Sequence, residues 1–140
     1  METEEIKNKF QEEWVGKADE YIDEPDRMKS LGQAALKLIN KSGLKSVVED
    51  IKLLVGYVTD IAKREYKDYS VVNLSLAIAA LIYLVSPVDI IPDVLPIIGW
   101  TDDAAVIGFA CKKLHEELQA YKYWKGQKFL SSNYNQSLED

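Results

Sequence analysis

The clearest apolar period in the chain lies at Leu44, Val47, Val48, Ile51, Val55, Val58, Ile61 and Ala62, the spacing of a helix that turns one stripe to a core. Lys45, Glu49, Asp50, Lys52, Lys63 and Arg64 fill its other side, and Ser42 is placed to cap its start. Two shorter stripes precede it. Ile6, Phe10, Trp14 and Ala18 predict a helix over about Glu4–Tyr21, ending before Pro25. Met28, Leu31, Ala35 and Leu38 predict a second over about Asp26–Ile39, closed by a turn between Asn40 and Gly43.

The pattern then changes. No Lys or Arg occurs from Asp68 to Cys111, and Val71–Val85 offers only Asn73, Ser75 and Tyr83 as polar-capable side chains. A helix apolar on every side belongs in a bundle centre or a membrane. These fifteen residues would span about 22 Å, short of the roughly 30 Å of bilayer hydrocarbon, so the central position is preferred. Pro87, Pro92 and Pro96 exclude a long helix over Ser86–Trp100. A last helix is predicted from near Thr101 to about Lys125, with Leu114, Leu118 and Tyr121 in line.

These elements make an all-α fold: one compact single-domain bundle of about five helices over residues 1–130. An apolar helix stands at its centre, a Pro/Asp-rich connection follows, and 131–140 form a polar, frayed tail. Composition agrees, with 140 residues, 47% hydrophobic, 29% charged and only 11 Gly and Pro together. The net charge of −6 argues against nucleic acid as a partner. One Cys and one His exclude an internal disulfide and a Cys- or His-rich metal centre. Met-Glu-Thr-Glu-Glu at the N-terminus does not read as a secretory signal. A cytoplasmic location is expected, with the inner membrane face as the peripheral alternative.

Four carboxylates, Asp89, Asp93, Asp102 and Asp103, stand in apolar surroundings with no cation near in sequence. As a metal set they would take Mg²⁺ or Ca²⁺, which prefer carboxylate oxygens, and would suit a metal-dependent hydrolase. The spacing is not that of an EF-hand. Helix capping is the preferred reading, which leaves the chain with no cofactor. Ser86-Pro87-Val88-Asp89 has the order of a helix start, Asp93 can cap a turn, and Asp102 and Asp103 sit where the free N–H groups of the last helix favour an anion.

The run Ser86-Pro87-x-Asp89-Ile90-Ile91-Pro92-Asp93-x-Leu95-Pro96-x-Ile98-Gly99, then Asp102-Asp103-Ala104, resembles the signature of the YkvA-like bacterial domain of unknown function. The resemblance covers about residues 71–110. It implies no settled activity and no catalytic residue, and it implies an apolar segment that is often predicted to associate with membranes. A non-enzymatic interaction or membrane-peripheral module is therefore the preferred function, with a protein partner or a membrane surface as its target. The alternatives are the hydrolase and a membrane-inserted hairpin of Val71–Val85 with Val94–Ala110.

Three other features carry less. Cys111 and His115 share a helix face but offer only two ligands, and the apolar setting of Cys111 suppresses its thiolate. Asp19, Glu20, Asp23, Glu24 and Asp26 read as a solvated acidic elbow. Tyr121–Leu130 interleaves aromatics with lysines, which suits either a helix end packed on the bundle, the preferred reading, or a lipid interface.

Capping and metal binding at Asp103 predict different unfolding curves. As a cap, Asp103→Ala costs about 0.5–2 kcal/mol in EDTA and in millimolar Mg²⁺ alike. As a ligand, it abolishes a metal-dependent gain that would reach about 2.7 kcal/mol at a hundred times the dissociation constant. Urea unfolding of wild type and variant in both buffers is expected to show no such gain.

Overall fold

The computed structural model describes residues 15–40, 44–85 and 103–139, with side chains from 16 and 104 onward in the first and last stretches and to 131 in the last. Among these residues the chain is helical with no strand. The elements are α1 (Val15–Ala18), α2 (Pro25–Leu36), α3 (Val48–Ala62), α4 (Val71–Val85), α5 (Asp103–Lys113) and α6 (His115–Glu139), with a 3₁₀ turn at Lys45–Val47 leading into α3.

The apolar α4 has the boundaries its composition predicts. Every residue from Leu74 to Leu84 is buried, with Ala77, Ile78, Ala79, Ala80 and Leu81 fully so. It packs against α1, α2, α3 and α5, so from Leu74 to Leu84 no face is left to water, while Val71 and Val72 at its start are exposed. Burying each large aliphatic side chain contributes roughly 1.5–3 kcal/mol, which makes α4 the main source of core stability. Its start is capped by Ser70, whose Oγ accepts from the Asn73 N–H at 3.1 Å.

α2 begins at Pro25, whose missing N–H costs nothing in a first helical turn. It buries Met28, Leu31, Gly32 and Ala35 against α3 and α4. Gly32 lets the backbones close, since a Cβ there would lie 3.1 Å from Val55 Cγ1 and 3.2 Å from Thr59 Oγ1.

α3 ends in a Schellman motif. Glu65 N–H donates to the Asp60 carbonyl and Arg64 N–H to that of Ile61, both at 2.9 Å. The motif needs a left-handed residue after the helix, and here it is Arg64, with φ 64°. The reversal carries Glu65 and Tyr66 back alongside the helix end, and Tyr66 N–H also reaches the Asp60 carbonyl at 3.2 Å.

Several expected boundaries move. α2 stops at Leu36 and α3 proper starts at Val48, because Lys45–Val47 forms a tighter 3₁₀ turn. The expected single last helix is two segments meeting at Leu114. Its N–H still donates to Ala110 and its carbonyl accepts from Leu118, at 2.9 and 2.8 Å, so the interruption is a local bend within a nearly continuous rod. That rod runs to Glu139, well beyond Lys125, and the stretch expected to be a frayed tail is helical up to that residue. Most of the predicted first helix, the Ser42 cap and the Pro/Asp-rich connection lie outside the described residues.

Candidate functional site

A carboxylate near the C-terminal end of a helix opposes the helix dipole, and burial adds a desolvation cost. Asp60 meets both conditions: it lies two residues before the end of α3 at Ala62 and is 3% exposed. The cost is offset from α6. Tyr121 Oη donates to Asp60 Oδ2 at 2.7 Å, and Lys125 Nζ donates to the same oxygen at 2.8 Å. The two donors are one helical turn apart, so a straight helix delivers both to one oxygen.

Glycine makes the approach feasible. A Cβ on Gly56, one turn before Asp60, would stand 2.8 Å from Tyr121 Oη. Around the lock, Tyr121 meets Tyr57 and Tyr66 edge-on, with ring centroids 5.7 and 5.2 Å away, and Trp124 covers Tyr66 at 5.1 Å. A second pair lies on the outer side, where Lys128 Nζ is 2.9 Å from Glu65 Oε2. The hydrogen bond from Lys128 first of all holds the Glu65 carboxyl below its ordinary value.

One turn toward the start of α6, Glu117 does for α4 what a local acid does in a capping box. Its Oε1 accepts from the Ser70 N–H at 3.3 Å and from Asn73 Nδ2 at 3.0 Å, while Oε2 is buried with no partner among the described residues. Burial pushes its carboxyl above the ordinary value, and the Ser70 N–H only partly opposes this.

Tyr121–Leu130 thus divides by helical period. Tyr121, Trp124, Lys125 and Lys128 fall at i, i+3, i+4 and i+7 and turn inward. Tyr123, Phe129 and Leu130 remain 71%, 65% and 60% exposed. Lys125 and Lys128, expected either to favour the dipole of a helix end or to meet lipid, are instead held by Asp60 and Glu65. Lys122 is exposed and makes no ion pair among the described residues.

These groups are poor reagents. Burial and then the Asp60 hydrogen bond push the Tyr121 phenol above its ordinary value, so it stays a donor. Burial pushes the Cys111 thiol up to about 12, which leaves almost no thiolate at neutral pH. The acidic elbow is a turn whose acids are exposed, with Arg27 bonded to the Glu20 carbonyl at 3.0 Å and lying over the Tyr21 ring.

Of the carboxylates singled out in the sequence, Asp89, Asp93 and Asp102 lie outside the described residues. Asp103 opens α5, and its side chain too lies outside them. Among the described residues no group of three His, Cys, Asp or Glu side chains is placed to hold a metal ion.

The model of a protein family of unknown function, DUF1232, matches residues 73–109. The "Uncharacterized membrane protein YkvA" of Bacillus subtilis (strain 168) is 36% identical over 96 residues, 69% of this chain and 88% of the relative. The chain belongs to the YkvA-like DUF1232 family. No solved structure matches it. The segment matched by the DUF1232 model contains α4 from Asn73 onward and α5 as far as Phe109, together with the connection between them. Asp60, Tyr121 and Lys125 all lie outside that segment.

Asp60 was not singled out from sequence, although a signal exists. It interrupts the apolar run of α3 one turn after Gly56, and Tyr121 and Lys125 repeat the same one-turn spacing on α6. Nothing in the sequence says that the two spacings face each other.

The lock predicts an ordered mutational series in urea unfolding. Lys125→Met leaves a buried carboxylate short of its cation and should cost about 2–4 kcal/mol, the half-exposed ammonium keeping it below a fully buried pair. Tyr121→Phe should cost about 1.5–3 kcal/mol. Gly56→Ala should cost about 1–3 kcal/mol by displacing the Tyr121 hydroxyl, and it should add little to Tyr121→Phe.

The Glu117 prediction concerns pH. A carboxyl raised in the folded state binds its proton more tightly there than in the unfolded chain. Its contribution is present below the unfolded value near 4.5 and is lost as pH rises through the higher folded value. Glu117→Gln keeps the accepting oxygen for Ser70 and Asn73 and removes the titration. Stability curves of the two proteins should therefore separate in the variant's favour as pH rises above about 4.5, and a constant offset across this range would refute the assignment.

Proposed function

We propose that the chain is a non-enzymatic module that docks on a membrane surface through the outer face of α6. The observation that carries this reading is the exposure of Tyr123, Phe129 and Leu130 on a helix whose other face is held by the bundle. Large apolar side chains grouped on an exposed helix face are paid for poorly by water and well by the headgroup–acyl boundary. Charge distribution supports it. Residues 118–138 hold three lysines and no carboxylate, in a chain of net charge −6.

The name of the Bacillus relative, a membrane protein, is consistent with such a site. Among the described residues no helix is long and apolar enough to cross a membrane. α4, the helix apolar enough to invite that reading, is fifteen residues long and buried by its neighbours. Docking on a surface needs no change in that packing, whereas inserting α4 would strip it of α1, α2, α3 and α5.

Because Asp60 and Glu65 neutralise two of the three lysines, binding is driven mainly by apolar contact. Cosedimentation with vesicles of phosphatidylcholine and phosphatidylglycerol tests this. Replacing Tyr123, Phe129 and Leu130 together by Ser should weaken binding at least about tenfold, with the circular dichroism unchanged. Raising salt should weaken wild-type binding only slightly, since one unpaired lysine offers little charge to screen. Undiminished binding of the triple variant would remove α6 as the docking face.

A further inference from the structure

Beside the Asp60 lock, a cleft of about 400 Å³ separates α3 from α6. Its α3 wall follows one helical strip, Glu49, Lys52, Leu53 and Gly56, which continues one turn later to Asp60. Gly56 and the edge of Tyr121 form the part nearest the lock, where the missing Cβ leaves room for the phenol and for the cleft above it.

The charges around this space are of both signs. Glu49 and Asp50 stand on α3, and Lys122 and Lys125 on α6. Some are already occupied: Lys125 by Asp60 at 2.8 Å, and Lys52 by Glu49 at the long distance of 3.7 Å. Asp50 and Lys122 have no ion-pair partner among the described residues. A simple anion would meet the two acids, and a simple cation would meet the lysines. A molecule carrying one charge of each sign satisfies both walls.

Position selects among such molecules. Lys122 and Lys125 lie two turns and one turn before Phe129 on one side of α6, and Tyr123 adjoins Lys122. The cleft therefore borders the exposed apolar face. We propose that it takes the phosphoethanolamine head group of a membrane lipid, with the phosphate toward Lys122, beside the Lys125–Asp60 pair, and the primary ammonium toward Asp50 and Glu49. This rests on the membrane-surface reading of α6. A primary ammonium is required because its N–H groups can donate to the carboxylates, which the trimethylated nitrogen of choline cannot.

Two measurements on the full chain test the proposal separately from the reading it rests on. In the first, glycerophosphoethanolamine is titrated and backbone amides are followed by NMR. Shifts should cluster at Gly56, Tyr121 and Lys122, and neither inorganic phosphate nor ethanolamine at the same concentration should reproduce them. In the second, binding to pure phosphatidylcholine vesicles is compared with binding after phosphatidylethanolamine is added. The addition should strengthen binding about two- to fivefold, the scale of one exposed ion pair. The Glu49→Gln, Asp50→Asn double variant should lose that increment and keep its binding to phosphatidylcholine.

An increment that survives in the double variant assigns the preference to bilayer packing and overturns the head-group site. Equal shifts from phosphate alone overturn it in favour of a plain anion site. Equal binding to both vesicles, with no clustered shifts, removes the head-group site and leaves the docking face standing. Failure to bind either vesicle removes the membrane reading itself.

Discussion

A fifteen-residue helix without a charged side chain has no face that water can solvate cheaply, and the rest of the bundle is arranged by that need. α4 is surrounded by α1, α2, α3 and α5, and its eleven consecutive buried residues supply contact to each. α2 and α3 each contribute an apolar stripe to it, and α5 adds Val106, Ile107 and Ala110. At the start of α4 the backbone itself demands polar partners. Ser70 supplies one locally and Glu117 another from α6.

α6 is tied down differently. Beside buried Leu118, the Glu117 contacts to α4 and the Lys128–Glu65 pair, it carries a polar device: one carboxylate oxygen of Asp60 receiving a phenol and an ammonium. The arrangement is directional where apolar packing is not. It sets the rotation of α6 about its own axis, because only one rotation brings Tyr121 and Lys125 to the same atom. That rotation places Trp124 on Tyr66 and Lys128 on Glu65, and leaves Tyr123, Phe129 and Leu130 outside. The exposed apolar face is thus a consequence of the lock. Buried polar groups are often retained for such orientational specificity where greater stability could be had without them.

The Schellman turn links these two parts. Arg64 accepts a left-handed conformation so that Glu65 and Tyr66 can return beside Asp60. Through that turn, the end of α3 provides a carboxylate for Lys125, another for Lys128, and a ring for Trp124. The backbone strain at one residue sits next to the polar contacts that position α6, where surrounding structure can over-determine it.

The periodic features of this protein were legible in the sequence because helices are local. α4 could be bounded at Val71 and Val85 from composition alone, and the stripe of α3 from its spacing. The family resemblance rested likewise on a contiguous run, and the match over 73–109 bears it out. Helix ends are less legible, since Leu36 and Val48 lack strong local stop and start signals. The division of Tyr121–Leu130 into an inner and an outer face was beyond the sequence. Period places Tyr121, Trp124, Lys125 and Lys128 together, but whether that stripe faces water or protein depends on an acid sixty-one residues before Tyr121. Local pattern determined which side chains travel together; the fold alone decided which set met Asp60 and which was left exposed.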